Sequence, residues 1–262
     1  MTSVDRDDAQ HLAEILRVLQ ETDVWVGRIS AASQQLGPAQ RSPLRGDDDR
    51  AHPYELSHAT WHSLSNAVDH LGCLRVLLGD AKVIHMYAPF TLVRAALENA
   101  CAAVWLLEPS SRPERLARRL RIALGDIRNG EQVKTITRQP GARPESERVA
   151  QVQAIARAAG LDETAVRRAP SYSEIVRAVD QAGPANSMFE VSWKLCSGYA
   201  HGDWWTTLSS SRRTEVAGLA QPGVGTFQIE ADLALLTKVT TAAVGITRWG
   251  WMLYDQRCQA PY

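Results

Sequence analysis

Apolar residues recur every three or four positions along most of the chain, and strict alternation is almost absent. This is the period of helices with one buried face. Leu12, Ile15, Leu19, Val26, Ile29 and Leu36 form the first such run, which Gly37-Pro38 closes. Residues 38–53 carry proline, glycine and an Asp-Asp-Asp-Arg run, a composition that predicts a mobile surface loop. Leu56, Trp61, Leu64, Val68, Leu71, Leu74 and Leu78 line a second helix that stops at Gly79-Asp80. A third runs from Pro89 to Leu107 and ends at Glu108-Pro109.

Ser111-Arg112-Pro113-Glu114 is a capping box with proline in the first turn, and it opens a fourth helix reaching Ile136. Pro144 to Ala159 predicts a fifth helix closed by Gly160, followed by a short helical piece at Asp162–Arg168. Ser171-Tyr172-Ser173-Glu174 caps a sixth helix, stopped by Gly183-Pro184, and a seventh covers Ser187–Tyr199. Residues 209–229 hold the only strand-like segments, Glu215–Leu219 and Thr226–Ile229, around Pro222-Gly223. A long apolar helix, Glu230–Arg257, ends the chain. The expected fold is all-α: a single helical bundle of seven or eight helices over residues 1–262, with a small irregular or β-hairpin insertion before the last helix.

The chain has 262 residues, 45% of them hydrophobic and 22% charged, as in an ordinary globular protein able to bury a sizeable core. Twenty-nine basic and 29 acidic side chains cancel, which argues against a surface that grips nucleic acid everywhere but leaves local patches open. The acidic start lacks the apolar stretch of a signal peptide, and Arg94, Glu98 and Asn99 interrupt the longest apolar run. A cytoplasmic protein without a membrane span is the expectation. Cys73, Cys101, Cys196 and Cys258 are far apart, fit no zinc spacing, and are expected as buried free thiols.

Two helices carry candidate chemistry. The third is apolar nearly all round, so its only charges, Arg94 and Glu98, four residues apart on one face, must pair if they enter a core. That pair is either a structural ion pair or the lining of a cleft. On the seventh, Glu190, Lys194, Ser197 and His201 fall within roughly 60° of one another at about 100° per residue. Met188, Val191, Leu195 and Tyr199 lie on the opposite side. A carboxylate, an ammonium, a hydroxyl and an imidazole in one row are either a solvated face or parts for acid–base cleavage of a phosphodiester or ester. Gly198 and Gly202 bracket the histidine, and Trp204-Trp205 follow, able to wall a pocket or stack on a base.

The run Lys194-Leu195-Cys196-Ser197-Gly198-Tyr199-Ala200-His201 resembles the signature helix of the HEPN superfamily, in which an arginine and a histidine with four to six residues between them sit on a late helix of a small bundle; six separate Lys194 from His201. The Leu92–Ala100 segment of the third helix is similar to uncharacterised bacterial helical proteins placed near that superfamily. The resemblance implies a homodimer of toxin or defence type whose two motifs meet in one cleft, binding RNA or cutting it without a metal or cofactor. His201 would then be the acid–base group and Lys194 the phosphate contact. Ser197 and Glu190 would position groups, with Arg94 and Glu98 behind the cleft and Trp204, Trp205 and Tyr199 lining it. In this chain lysine stands in place of the arginine, without its planar fork. The alternative is a non-enzymatic bundle that binds a partner protein or small ligand beside the Trp-flanked turn.

Other features are weaker. His58, His62 and His70 share the second helix but turn away from its core stripe, so no metal site is expected. Arg112, Arg115, Arg118, Arg119, Arg121 and Arg128 crowd the fourth helix, mostly opposite its apolar side, as a solvated face or an anion-attracting patch. The acidic N-terminal turn (Asp5, Asp7, Asp8) is a candidate to neutralise them, in the fold or across a dimer.

Overall fold

Helix signals spaced along the chain become helices at nearly the places they mark. A computed structural model describes residues 6–31, 37–139, 143–185, 187–216 and 225–260. They form an all-α helical bundle with one small antiparallel hairpin before the last helix. The elements in order are α1 (Arg6–Leu19), α2 (Glu21–Ser30), α3 (Pro43–Ala51), α4 (Leu56–Arg75), α5 (Ala88–Leu107) and α6 (Arg112–Thr137). They continue with α7 (Glu145–Ala158), α8 (Tyr172–Ala182), α9 (Phe189–His201), α10 (Trp204–Ser210), β1 (Arg212–Glu215), β2 (Phe227–Glu230) and α11 (Leu233–Cys258). A π-helical turn, Val76–Asp80, extends α4, and a 3-10 turn, Glu163–Val166, follows α7.

The chain divides into two compact units. Met1–Ser33, Ser65–Ala100 and Ala182–Arg248 make the first; Gln34–Leu64, Cys101–Gln181 and Trp249–Tyr262 make the second. In the first, Ile15, Leu19, Leu71, Phe90, Val93 and Tyr199 are buried. Phe90 and Tyr199 stack with ring centres 4.1 Å apart and planes 11° off parallel. In the second, α6 and α7 enclose Leu120, Leu124, Ile127, Val152 and Val166, and Trp61 meets the Trp251 ring edge-on at 5.2 Å. Every α5 residue from Cys101 to Leu107 is buried, as an all-round apolar helix requires. By length and composition α5 could cross a membrane; two-thirds of it is buried here.

The caps behave as their residues dictate. The Ser111 side chain accepts the Glu114 N–H with Pro113 in the first turn of α6. Ser171 and Glu174 exchange bonds at the start of α8. Three expectations change. The first run is two helices, α1 and α2, parted at Gln20, and its end at Leu36 lies outside the described residues. The hairpin pairs Arg212 with Glu230 and Glu215 with Phe227, so its first strand precedes the expected Glu215–Leu219; residues 217–224 lie outside the described ones.

The third change has the most physical content. Residues 43–51 of the expected mobile loop are helix α3, with Leu44, Asp47, Asp48 and Ala51 buried. Ser42 accepts the Arg45 N–H at 3.1 Å and Pro43 occupies the first turn, so the start of the helix is locally encoded. Its acidic run is held from α6. Arg115 donates to Asp47 through Nε at 2.6 Å and Nη2 at 3.0 Å, and Arg112 Nε donates to it at 2.8 Å. Asp48 accepts the Ser57 N–H at 2.9 Å at the start of α4. The α6 arginines are therefore not simply a solvated row. Arg118 bonds Glu114 and the Trp105 carbonyl, and Arg119 bonds the Glu55 carbonyl.

Candidate functional site at the α9–α10 corner

Helix α9 buries Phe189, Ser192, Trp193, Cys196 and Tyr199, positions that repeat at threes and fours. The Glu190, Lys194, Ser197, His201 row lies about 135° around the helix from that face. Lys194 and His201 are exposed, and Glu190 and Ser197 half-buried. His201 makes no hydrogen bond or ion pair among the described residues. Lys194 places its ammonium 5.6 Å from the centre of the Trp193 ring. Met188 and Val191, on a third face, are also exposed.

The α5 charges pair as a buried helix demands. Arg94 Nε donates to Glu98 Oε1 at 2.9 Å, and Trp193 Nε1 donates to the same oxygen at 2.8 Å. The carboxylate thus joins α5 to α9 directly behind Lys194. This bond orients the Trp193 ring, whose face the ammonium covers. Nothing in the spacing of the sequence marked Trp193 as the third partner; only an indole on α9's buried face, needing an acceptor, hinted at it.

Two expected contributors, Tyr199 and Asp8, take other parts. Tyr199 is 2% exposed, and its hydroxyl donates to the Ser210 carbonyl at 2.8 Å. It holds α10 in place and is closed to a ligand, and burial raises its pKa. Burial also pushes the Cys196 thiol up, so it stays protonated, whereas Cys73, expected buried, is exposed. Asp8 pairs with Arg212 on the hairpin.

The two glycines shape the corner. Gly202, at φ +70°, ends α9 in the left-handed conformation, with its N–H and that of Asp203 turned back to carbonyls of the last turn. Gly198 lets α10, which the sequence pattern did not mark, fold back against α9. A β-carbon there would lie far inside contact distance of Thr206 Oγ1 and 3.1 Å from Trp205 Cζ2. Gly198→Ala is therefore expected to cost about 1–3 kcal/mol and lower the thermal midpoint. An unchanged midpoint by calorimetry would mean that α10 does not dock closely. With α10 seated, Trp204 is 75% exposed and Trp205 50%, three and four residues after His201 in the chain.

Among the described residues no group of three or more histidine, cysteine, aspartate or glutamate side chains gathers where it could hold a metal ion. The corner offers a cation, an imidazole and two indole faces. Together they can contact phosphate, transfer a proton and stack on planar rings. Compared with protein-family models, curated proteins and solved structures, the chain finds no match in any of the three.

Proposed function

We propose that this protein is a HEPN-like RNA-binding protein of toxin or defence type that cuts RNA at the α9–α10 corner without needing a metal ion. The supporting observation is what one helix and the turn after it leave open: the His201 imidazole and the Lys194 ammonium on α9 are exposed, and so are Trp204 and Trp205 at the start of α10. Bases stack on Trp204 and Trp205, and Lys194 contacts a phosphate. His201 takes the proton of the ribose 2′-hydroxyl as its oxygen attacks the adjacent phosphorus; the bond from phosphorus to the 5′-oxygen breaks, and that oxygen leaves with a proton from water, giving a 2′,3′-cyclic phosphate and a 5′-hydroxyl end. Glu190 and Ser197 position the strand, while Arg94 and Glu98 hold α9 from behind through Trp193. Two copies pair with their rows facing one cleft.

The test is binding of labelled single-stranded RNA, followed by anisotropy. Trp204→Ala and Trp205→Ala are each expected to weaken affinity about tenfold, in line with the loss of one stacked base. No saturable binding by the wild type, or equal binding by the variants, would sink the reading. A second reading, a non-enzymatic bundle that docks a partner protein, is favoured by the exposed Leu208 on the same short helix as the tryptophans. It predicts that Trp204→Ala abolishes capture of a partner while His201→Ala leaves it intact.

A further inference from the structure

The second unit carries two adjoining depressions along α6, remote in sequence from the α9–α10 corner. One, of about 590 Å³, is lined by Glu114, Ala117, Arg121, Thr164, Arg167 and Arg168. The other, of about 490 Å³, shares Thr164 and Arg167 and adds Arg128, Leu124, Val149 and Val166. Volumes of this size suit small organic ligands.

Their charges do not balance locally. Glu114 is engaged by Arg118 at 2.8 Å, and Arg168 is tied to Glu174. Arg128 and Arg167 make no hydrogen bond or ion pair among the described residues. Among the described residues Arg121 donates only to a neutral acceptor, the Arg168 carbonyl at 3.0 Å, with its guanidinium 5.5 Å from the centre of the Trp105 ring. Burial, and after it the Arg168 guanidinium, lower its pKa. Arg121 and Arg128 are seven residues apart on α6, hence on one side of the helix. Among the described residues these three guanidiniums make no ion pair with a carboxylate, and beside an apolar wall they form an incomplete electrostatic set. A dianion completes it better than a single carboxylate would.

We propose that these depressions bind a small phosphorylated organic molecule, its phosphate held by Arg121 and Arg167 in the first and its organic body resting beside Arg128 on Leu124, Val149 and Val166 in the second. None of the α9 residues takes part, so this site stands independently of the RNA reading. Calorimetric titration of the full chain with adenosine 5′-monophosphate, inorganic phosphate and adenosine is the test. The monophosphate is expected to bind with a Kd at or below ~1 mM, phosphate alone more weakly, and adenosine not measurably. Arg167→Ala touches no structural contact among the described residues and should weaken the monophosphate about tenfold or more, as should Arg121→Ala. Arg45→Ala, an exposed ion-pair residue on α3, should leave it unchanged. No saturable binding of monophosphate or phosphate overturns the proposal, as does equal binding by Arg167→Ala. Loss of RNA affinity in Arg167→Ala without any binding of the monophosphate also overturns it, and marks the surface as an RNA track.

Discussion

Replacing Asp47 by alanine is expected to cost about 3–5 kcal/mol of folding stability, measured by equilibrium unfolding in urea. Asp47 is fully buried, and its main partner, Arg115, is 2% exposed. Removing the carboxylate leaves a guanidinium out of water with its strongest acceptor gone. Arg115 keeps bonds to the Pro109 and Ser110 carbonyls at 2.9 and 2.7 Å, which holds the loss within that range. Asp47→Asn retains an acceptor and should lose less. The combined Asp47→Ala and Arg115→Met exchange should recover much of the stability, because a buried pair replaced by apolar groups is often neutral. A loss below about 1 kcal/mol for Asp47→Ala would mean that α3 and α6 are not clamped through this carboxylate.

His201→Ala should lower RNA cleavage by roughly two to four orders of magnitude, the usual contribution of a positioned acid–base group. Affinity should change far less, since the tryptophans and Lys194 remain. Stability should stay within about 0.5 kcal/mol, because the exposed imidazole gives up no hydrogen bond or ion pair among the described residues. Lys194→Arg restores the planar fork, and tighter binding of phosphate is the expected result. Gel analysis of structured RNA checks both variants. Wild type and His201→Ala degrading RNA at one protein-independent rate would end the catalytic claim and leave RNA binding to stand by itself.

The parts legible from sequence are those governed by neighbours within a turn or two. The Ser111 and Ser171 caps, the stop of α4 near Gly79, and α5 from its apolar run were all readable, because each depends on contacts a few residues away. The Arg94–Glu98 pair belongs with them: four residues apart on an otherwise apolar helix, the two charges have each other as the nearest compensation. Helix α3 was misread although Ser42-Pro43 is a local start signal. A run of three aspartates reads as solvated unless arginines 65 and 68 residues away are known to reach it. Helix α10 was missed because seven residues with two adjacent tryptophans show no helical stripe.

By itself, then, the sequence determined the helical class, most helix ends, the intrahelical ion pair and the one-sided polar row on α9. All of these follow from the pitch of a helix and the cost of an unpaired charge. Tertiary structure alone decided which of the candidate groups stay open. It closed Tyr199 into the core, set the Trp193 indole on Glu98 across 95 residues, spent Arg112 and Arg115 on Asp47, and left His201, Lys194, Trp204 and Arg167 exposed. The reason is that a polar or aromatic side chain is fixed by whichever partner packing brings to it, and that partner lies on an element whose arrival no local pattern encodes.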